Sequence, residues 1–235
     1  MKLEDFKKIG RRYRRKLLQS LGIELYSLPA VEDIDRKLEA YLPEKGIFVE
    51  AGAHDGFTQS NTYYLEWKKK WTGVLVEPIP HLYQECVKER SRSQVFNYAL
   101  VPFEYQKDFV EMNYAYLMST VDGALQSSEA QQQHLQKAKG FYNVSPYKLQ
   151  VPAKNLTAVL QQAGVSKIDF LSLDVEGYEL NVLNGLDFTK HAPDYILVEC
   201  LNAREREKVE QYLLFKHYKS IDKLSRWNFL FQLTI

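Results

Sequence analysis

Four short apolar segments of this chain each run into an acidic residue. The acids are Glu50, Glu77, Asp174 and Glu199. Apolar runs without alternation are typical of strands in a parallel sheet that is covered on both faces. Segments with helical spacing of apolar residues lie between these runs, so strand and helix alternate along the chain. The sequence therefore predicts a doubly wound α/β domain, with the four acids together at the carboxyl edge of its sheet, where such domains bind ligands.

The predicted elements define the sheet and the limits of the domain. Strands are predicted at 46–50, 73–77, 95–100, 168–174, 195–200, 217–221 and 228–233. The connection between the last two is so short that they pair antiparallel, which gives a mostly parallel, seven-stranded sheet with a late antiparallel hairpin. Helices are predicted at 31–41, 61–71, 81–90, 156–163, 179–186 and 205–216.

The domain limits follow from where this alternation begins and where it is interrupted. We expect an N-terminal helical extension over 1–42 and one α/β domain over 43–235. An insertion at about 103–150, with an edge strand at 107–113, a helix at 127–139 and a strand at 147–151, is expected to cover the site.

Residues 1–17 have the pattern of a basic amphipathic helix. Apolar residues recur at steps of three and four, at Leu3, Phe6, Ile9, Tyr13 and Leu17. Residues 1–16 contain eight Lys or Arg and two acids, a charge of +6, which leaves −5 on the rest of the chain. We expect this helix to dock on the domain through its apolar stripe. The alternatives are peripheral contact with an anionic membrane or with an acidic partner. Nucleic acid is disfavoured because no second basic stripe with interleaved aromatics follows.

Composition excludes several other classes of protein. Hydrophobic residues make up 45% and charged residues 26% of the chain, which is ordinary for a globular domain. The two cysteines, Cys86 and Cys200, are too few for a disulfide framework or a cysteine-rich zinc site. The apolar runs are too short to span a bilayer, and the N-terminus lacks the apolar core of a signal peptide. We therefore expect a cytoplasmic protein.

The loop after the first strand indicates which nucleotide the domain binds. A dinucleotide pyrophosphate needs the pattern Gly-x-Gly-x-x-Gly, so that the backbone can approach both phosphates. Here His54 stands at the second glycine position, and the glycines are instead Gly52 and Gly56. S-adenosylmethionine has no phosphate, and it carries a sulfonium, an ammonium and a carboxylate. The loop therefore favours S-adenosylmethionine.

Each charged part of that cofactor has a candidate partner in the sequence. Glu50 is placed to meet the cation, and the turn over 52–55 lets the methionyl tail lie close to the backbone. Ser60, at the start of the next helix, is a candidate for the carboxylate. Glu77, at the end of the second strand, is placed to accept both ribose hydroxyls, a role that an acid has in either nucleotide class.

Three motifs resemble those of one known family. They are Phe-Val-Glu-Ala-Gly-Ala-His-Asp-Gly at 48–56, Val-Glu-Pro at 76–78, and Leu-Ser-Leu-Asp-Val-Glu-Gly-Tyr-Glu at 171–179. Together they resemble the FkbM family of methyltransferases. The resemblance implies a class I methyltransferase fold, which is Rossmann-like, and S-adenosylmethionine as donor. It also implies O-methylation of a hydroxyl on a sugar or natural product.

These observations define the candidate site. The predicted cofactor contacts are Glu50, Gly52, Ala53, His54, Asp55, Gly56, Ser60, Glu77, Pro78, Ala99, Leu100 and Asp174. Methyl transfer to oxygen needs in-line placement of the acceptor and a base for its proton. Asp174, at the end of a central strand, is the first candidate for that base, followed by Glu176 and His54.

Metal dependence stays open at this point. A divalent cation can replace the base by lowering the pKa of the hydroxyl. Asp174, Glu199 and Asn202 are oxygen donors from adjacent strand ends and suit a hard cation.

The acceptor is expected to be a small-molecule or glycan hydroxyl. Aromatic and apolar residues of the insertion are candidates for the wall of its pocket, unless they only pack: Tyr114, Tyr116, Met118 and Tyr142. His134, on a polar helix, is expected to be exposed.

Two other functions stay open. An NAD-dependent enzyme is disfavoured by His54 in the loop. A non-catalytic binding or scaffold protein can keep the fold, but we expect it to lose acids at the strand ends, and this chain has all four.

Overall fold

A seven-stranded sheet lies at the centre of the protein, and a four-stranded sheet accompanies it. The computed structural model describes residues 3–125 and 127–234, with the backbone alone over 3–9. Its strands are β1 (Ile47–Ala51), β2 (Thr72–Val76), β3 (Gln94–Phe96), β4 (Ala99–Leu100), β5 (Phe109–Tyr114), β6 (Thr120–Val121), β7 (Tyr147–Lys154), β8 (Phe170–Leu173), β9 (Tyr195–Glu199), β10 (Tyr218–Lys223) and β11 (Asn228–Leu233).

The helices lie between these strands and before the first of them. They are α1 (Leu3–Ser20), α2 (Ile34–Lys37), α3 (Tyr63–Trp67), α4 (Pro80–Glu89), α5 (Ser128–Tyr142), α6 (Leu156–Ala163), α7 (Glu179–Leu183) and α8 (Ala203–Phe215). Within the described part of the chain, none of the helices combines the length and the hydropathy needed to cross a membrane.

The large sheet has the strand order β10-β11-β9-β8-β1-β2-β3. β1 pairs in parallel with β2 and β8, β2 pairs in parallel with β3, and β8 with β9. β11 is antiparallel to both β9 and β10. These pairings confirm the predicted doubly wound sheet with its late hairpin. The strand order reverses between β1 and β8, which is where sheets of this kind bind ligands.

Both faces of the large sheet are buried, which explains the apolar runs in the sequence. Val74 and Val76 pack into the core on one face, whereas Leu75 between them packs into the core on the other. Val49 and Phe48 of β1 divide in the same way. Because a strand covered on both sides needs an apolar side chain at successive positions, alternation is absent.

The middle of the chain forms the small sheet, with the order β4-β7-β5-β6. The predicted insertion at 103–150 falls within this region. β5, predicted as an edge strand over 107–113, instead lies between β7 and β6. The small sheet has an apolar core of its own, formed by Ala99, Val101, Val110, Met112 and Val151.

The single strand predicted at 95–100 is two strands in the structure. β3 belongs to the large sheet and β4 to the small one. Between them, the side-chain amide of Asn97 donates to the backbone carbonyls of Glu77 and Pro78, each at 2.8 Å. These bonds hold the connection against the end of β2, where the chain passes from one sheet to the other.

Three predicted helices are shorter or less regular than expected, and one of them, predicted over 179–186, ends at Leu183. The segment 31–41 consists of short 3₁₀ and α turns, because Glu32 and Asp33 have left-handed backbones with φ of 50° and 57°. The helix predicted over 61–71 is limited to α3, and Lys70, with φ of 63°, lies in the turn that follows.

Over its described side chains, helix α1 docks on the domain through arginines, and the two described members of the predicted apolar stripe face outward. Arg15 is buried, with Nη2 2.9 Å from Oε1 of Glu89, and Nε of Arg12 lies 2.7 Å from Oε2 of the same carboxylate. Tyr13 and Leu17 of the stripe are 72% and 63% exposed. The expectation was wrong at these positions because the buried Glu89 carboxylate needs cations. The other members of the stripe, Leu3, Phe6 and Ile9, are not among the described side chains.

A second buried arginine, Arg90, holds the loop after β1. Its Nη1 lies 3.3 Å from Oε2 of Glu50, and its Nε lies 2.9 Å from Oε2 of Glu66. Its remaining N–H groups donate to the Thr62 hydroxyl at 2.8 Å and the Gly56 carbonyl at 3.2 Å. One guanidinium thus pairs two carboxylates away from water, and the removal of a partner from such a group is costly.

We expect Arg90→Met to destabilise the protein by about 3–5 kcal/mol, because two buried carboxylates lose their shared cation. The free energy of unfolding, measured by urea denaturation, tests this. Arg92→Met is the matched control, since Arg92 is exposed and its loss should change stability by no more than about 0.5 kcal/mol. Equal stability of Arg90→Met and wild type would contradict the assignment.

Candidate functional site

A cavity opens at the carboxyl edge of the large sheet. Its wall is formed by the ends of β1, β2, β8 and β9 together with residues of the small sheet. Among the described residues that line it there is no lysine or arginine, whereas five carboxylates line it: Glu50, Glu77, Asp174, Glu176 and Glu199. The four acids predicted to gather at this edge do so, and Glu176 joins them.

Most of the predicted cofactor contacts lie in the cavity wall. Those that line it are Glu50, Gly52, His54, Ser60, Glu77, Pro78, Ala99, Leu100 and Asp174. Ala53, Asp55 and Gly56 do not. Ala53 is buried in the core, the Asp55 carboxylate accepts two backbone N–H groups of the following turn, and a Cβ at Gly56 would lie 2.8 Å from the Arg90 side chain. Contact between these three residues and a cofactor stays a prediction.

Gly52 lets the loops after β1 and β8 approach each other closely. Its φ is +84°, and a Cβ at this position would lie 1.8 Å from the backbone carbonyl oxygen of Asp174. The N–H of Gly52 donates to the carbonyl of Val76 at 3.0 Å. Only glycine combines this backbone conformation with this contact, so Gly52 brings three strand ends together.

Glu50 is the acceptor around which the β1 loop is built. The Ser60 hydroxyl lies 3.0 and 2.9 Å from its two oxygens, and the Thr62 hydroxyl donates to it at 2.7 Å. The backbone N–H of Asn61 donates at 3.0 Å. Glu50 and Ser60 therefore form hydrogen bonds with each other within the protein. The predicted contact of Glu50 with the cation of a cofactor, and of Ser60 with its carboxylate, stay predictions.

Glu77 is held at the cavity wall by two backbone groups. Its carboxylate accepts the N–H of His54 and the N–H of Ile79, each at 2.8 Å. Burial raises its pKa to about 7, against the two N–H bonds, which favour the charged form. Each carboxylate oxygen still has a lone pair for a further donor.

Asp174, Glu176 and Glu199 form an acidic cluster. Each offers one oxygen within 4.8 Å of the others. Burial raises the pKa of Asp174 and of Glu176, and burial together with the nearby Asp174 charge raises the pKa of Glu199 to about 11. Asp174 and Glu199 are also hydrogen-bonded. All three carboxyl groups of the cluster therefore hold a proton more readily than a carboxyl group in water does.

Asn202, predicted as an oxygen donor beside Asp174 and Glu199, does not belong to this cluster. Its Oδ1 accepts the N–H of Glu205 at 3.0 Å, as the N-cap of α8. An N-cap side chain is committed to the helix that it begins. Glu176 provides the third oxygen of the cluster instead.

Two histidines flank the acidic cluster. His54 lines the cavity and is 6% exposed. Among the described residues, neither of its ring nitrogens has a hydrogen-bond partner. Oδ1 of Asp55 lies 3.5 Å from Nδ1 as an ion-pair contact. His134, expected to be exposed, is buried. Its Nε2 donates to the carbonyl of Met118 at 3.0 Å and lies 3.6 Å from Oε2 of Glu176. The expectation was wrong because α5 places this residue against the loops that carry Met118 and Glu176.

Asn61 is a cavity residue that the sequence did not reveal. Its side-chain amide donates to the Ser172 hydroxyl at 3.1 Å, and its Oδ1 is buried with no hydrogen-bond partner. A buried acceptor without a donor is unfavourable, so this oxygen suits a ligand that donates a hydrogen bond. Nothing in the local sequence distinguishes Asn61 from an ordinary first-turn residue.

The small sheet and α5 contribute aromatic residues to the cavity. Tyr116 and Tyr142 line it, with ring centroids 5.1 Å apart, and the ring of Tyr116 packs edge-on against His54. Tyr114 packs against Tyr147 and does not line the cavity, and Met118 does not line it either. Two of the four residues proposed for an acceptor wall are thus placed for it.

Several solved structures are similar to this fold, each at low sequence identity. A TehB-like SAM-dependent methyltransferase from Corynebacterium glutamicum is 9% identical, with a TM-score of 0.47 and coverage of 97% of each chain. M. capricolum TrmK, solved with S-adenosyl-homocysteine, is 7% identical, with a TM-score of 0.46; the match covers 84% of this chain and 65% of TrmK. The structure of a fibrillarin/Nop5p complex is 11% identical, with a TM-score of 0.44; the match covers 88% of this chain and 81% of that one. No curated protein sequence matches the chain.

The family model provides the assignment that these distant structures do not. The model of the methyltransferase FkbM domain matches residues 50–231, which span the loop after β1, the strand ends and the late hairpin. The match covers more than three quarters of the chain and includes all five carboxylates of the cavity. It confirms the resemblance seen in the sequence motifs, and the chain belongs to the FkbM methyltransferase family.

Proposed function

We propose that this protein transfers a methyl group from S-adenosylmethionine to a hydroxyl of a small molecule, a sugar or a natural product. The observation that carries the proposal is the lining of the cavity: five carboxyl groups line it and, among the described residues, no lysine or arginine does. S-adenosylmethionine brings two cations, a sulfonium and an ammonium, and both are favoured in such a cavity. A dinucleotide brings a pyrophosphate, which the same carboxylates repel.

Buried groups without partners fit the cofactor as well. Among the described residues, the Asn61 amide oxygen and the His54 ring nitrogens find no hydrogen-bond partner. An ammonium is a donor that suits the Asn61 oxygen. Glu77 has a lone pair left on each oxygen for the ribose hydroxyls, and its position at the end of β2 is the one that nucleotide-binding sheets use for this purpose.

S-adenosylmethionine, when bound, supplies an electrophilic methyl group. The protein must place the acceptor oxygen in line with it and must take up the hydroxyl proton. Asp174 is our candidate for the base, because its carboxylate lies in the cavity wall at the strand reversal and burial raises its pKa. Tyr116 and Tyr142, which also line the cavity, can bound the acceptor. His54 and Glu176 are the alternative bases.

A non-catalytic protein with this fold is the second candidate function. The retention of every carboxylate at the strand ends argues against it, because a scaffold has no use for buried charges that raise each other's pKa. Turnover of any hydroxyl acceptor distinguishes the two.

Glu77→Ala should weaken the binding of S-adenosylhomocysteine at least about tenfold, or about 1.4 kcal/mol, through loss of the ribose hydrogen bonds. Isothermal titration calorimetry measures this. Glu104→Ala, at an exposed position, is the control and should bind like wild type. Since Glu77 also holds the His54 N–H, melting temperatures without ligand must show that the variant is folded. Unchanged affinity would remove Glu77 from the cofactor site.

The affinity for S-adenosylhomocysteine should fall as the pH is lowered from 8 to 6. The pKa of Glu77 is raised to about 7, so that its carboxylate is mostly charged above this pH and mostly protonated below it. The protonated form has lost one acceptor oxygen for the ribose. Glu77→Ala should lack this part of the pH dependence, and identical pH profiles of variant and wild type would contradict the assignment.

Asp174→Asn keeps the shape of the side chain and removes its charge. If Asp174 is the base, turnover should fall about 10²–10⁴-fold, while the KM of the acceptor changes less. Asp108→Asn, at an exposed position, is the control. Panels of sugar and polyketide hydroxyls provide the acceptors for the assay.

The same assay separates a base from a metal site. The three carboxylates of the acidic cluster are close enough to hold a divalent cation, and in that case a chelator should silence the wild type and Mg²⁺ should restore it. Near wild-type turnover of Asp174→Asn, together with no effect of the chelator, would exclude both roles.

A further inference from the structure

The outer side of the N-terminal helix is apolar. Tyr13, Leu17 and Leu21 are 72%, 63% and 67% exposed, and their spacing of four residues puts them on one side of α1 and its end. Tyr26, which is 52% exposed, lies against the same region because the Arg14 guanidinium stacks over its ring at 4.4 Å. We refer to these four residues as the N-terminal patch.

This orientation is fixed by ion pairs on the inner side of the helix. Arg12 and Arg15 both pair with the buried carboxylate of Glu89, and the Gln19 amide donates to the Tyr63 hydroxyl at 3.1 Å. The Arg15 guanidinium also lies 3.4 Å from the centre of the Phe57 ring. Turning the patch inward would strip Glu89 of its cations, so the protein cannot bury these apolar side chains by rotating α1.

Basic residues border the patch. Arg11 and Arg14 are exposed on its flanks, while Lys16 lies 3.8 Å from the inner Glu89 carboxylate. Glu24 in the following turn is paired with Arg36 and Lys68. The first sixteen residues as a whole carry a charge of +6. An exposed apolar ridge between basic flanks is the arrangement of helices that lie in the interface of an anionic membrane.

We propose that the N-terminal patch seats the protein on an anionic lipid surface, with Tyr13, Leu17 and Leu21 entering the headgroup region. A second copy of the chain is a poorer occupant, because it would bring two segments of +6 charge together. An anionic surface attracts basic residues that lie close to it, whereas an apolar protein surface would leave these charges without partners. The proposal does not depend on the enzymatic activity.

Sedimentation with lipid vesicles tests the proposal on the full chain. Vesicles of phosphatidylcholine with about 30% phosphatidylserine should bind the protein, and vesicles of phosphatidylcholine alone should not. The double variant Tyr13→Glu/Leu17→Glu should lower the partition coefficient at least about tenfold. Leu214→Glu/Phe215→Glu is the matched control, since it adds the same charge at two residues that are 69% and 77% exposed at the end of α8, and it should bind like wild type.

A charge variant and a measurement of the oligomeric state in solution complete the test. Arg11→Gln/Arg14→Gln should also weaken binding to the anionic vesicles, and binding of the wild type should fall with added salt. Equal binding of the patch variant and the control variant would overturn the proposal, as would absence of binding by the wild type. A concentration-dependent dimer that only the patch variant abolishes would assign the surface to a second copy and would also overturn it.

Discussion

The site depends on one buried ionic arrangement, the pairing of Arg90 with Glu50 and Glu66. Glu50 lies at the end of β1, beside the reversal of strand order, and its oxygens also accept the Ser60 and Thr62 hydroxyls. A carboxylate in this position is stable only because a guanidinium and several donors surround it. The same contacts fix the path of the loop over residues 52–62, so the shape of the cavity floor is set by charge pairing as well as by packing.

The acidic cluster elsewhere in the cavity differs from Glu50, because its carboxyl groups have no arginine or lysine partner among the described residues. Asp174, Glu176 and Glu199 crowd together, and burial raises the pKa of each. A positive ligand relieves this crowding, whereas a fixed lysine or arginine would neutralise the site permanently. The buried arginines, Arg15 and Arg90, thus lie outside the cavity lining, which under the proposed function is left to a cationic ligand.

The fold and the strand-end acids were predictable because both follow from local pattern. Apolar runs that end in acids indicate parallel strands, and parallel strands bring their carboxyl ends to one edge. Arg90, Asn61 and His134 were not recognised, since each is defined by partners that lie far away in the chain. Helix α1 shows most clearly what local pattern cannot predict. Its apolar stripe predicted the docked face, but the side that faces inward is the one whose arginines pair with the buried Glu89 of α4.

Five apolar side chains of the small-sheet region form a core of their own, whereas Leu100 of β4 packs into a core of the large sheet. Two of these side chains, Ala99 and Met112, also line the cavity. Substitutions among them can therefore reshape one wall of the cavity while the ion pairs beneath the β1 loop and the strand ends are left intact. Under the proposed function, gene copies that keep the large sheet and vary at positions such as Met112 could change the acceptor while keeping the predicted cofactor contacts, so diversification should be concentrated in this segment of the chain.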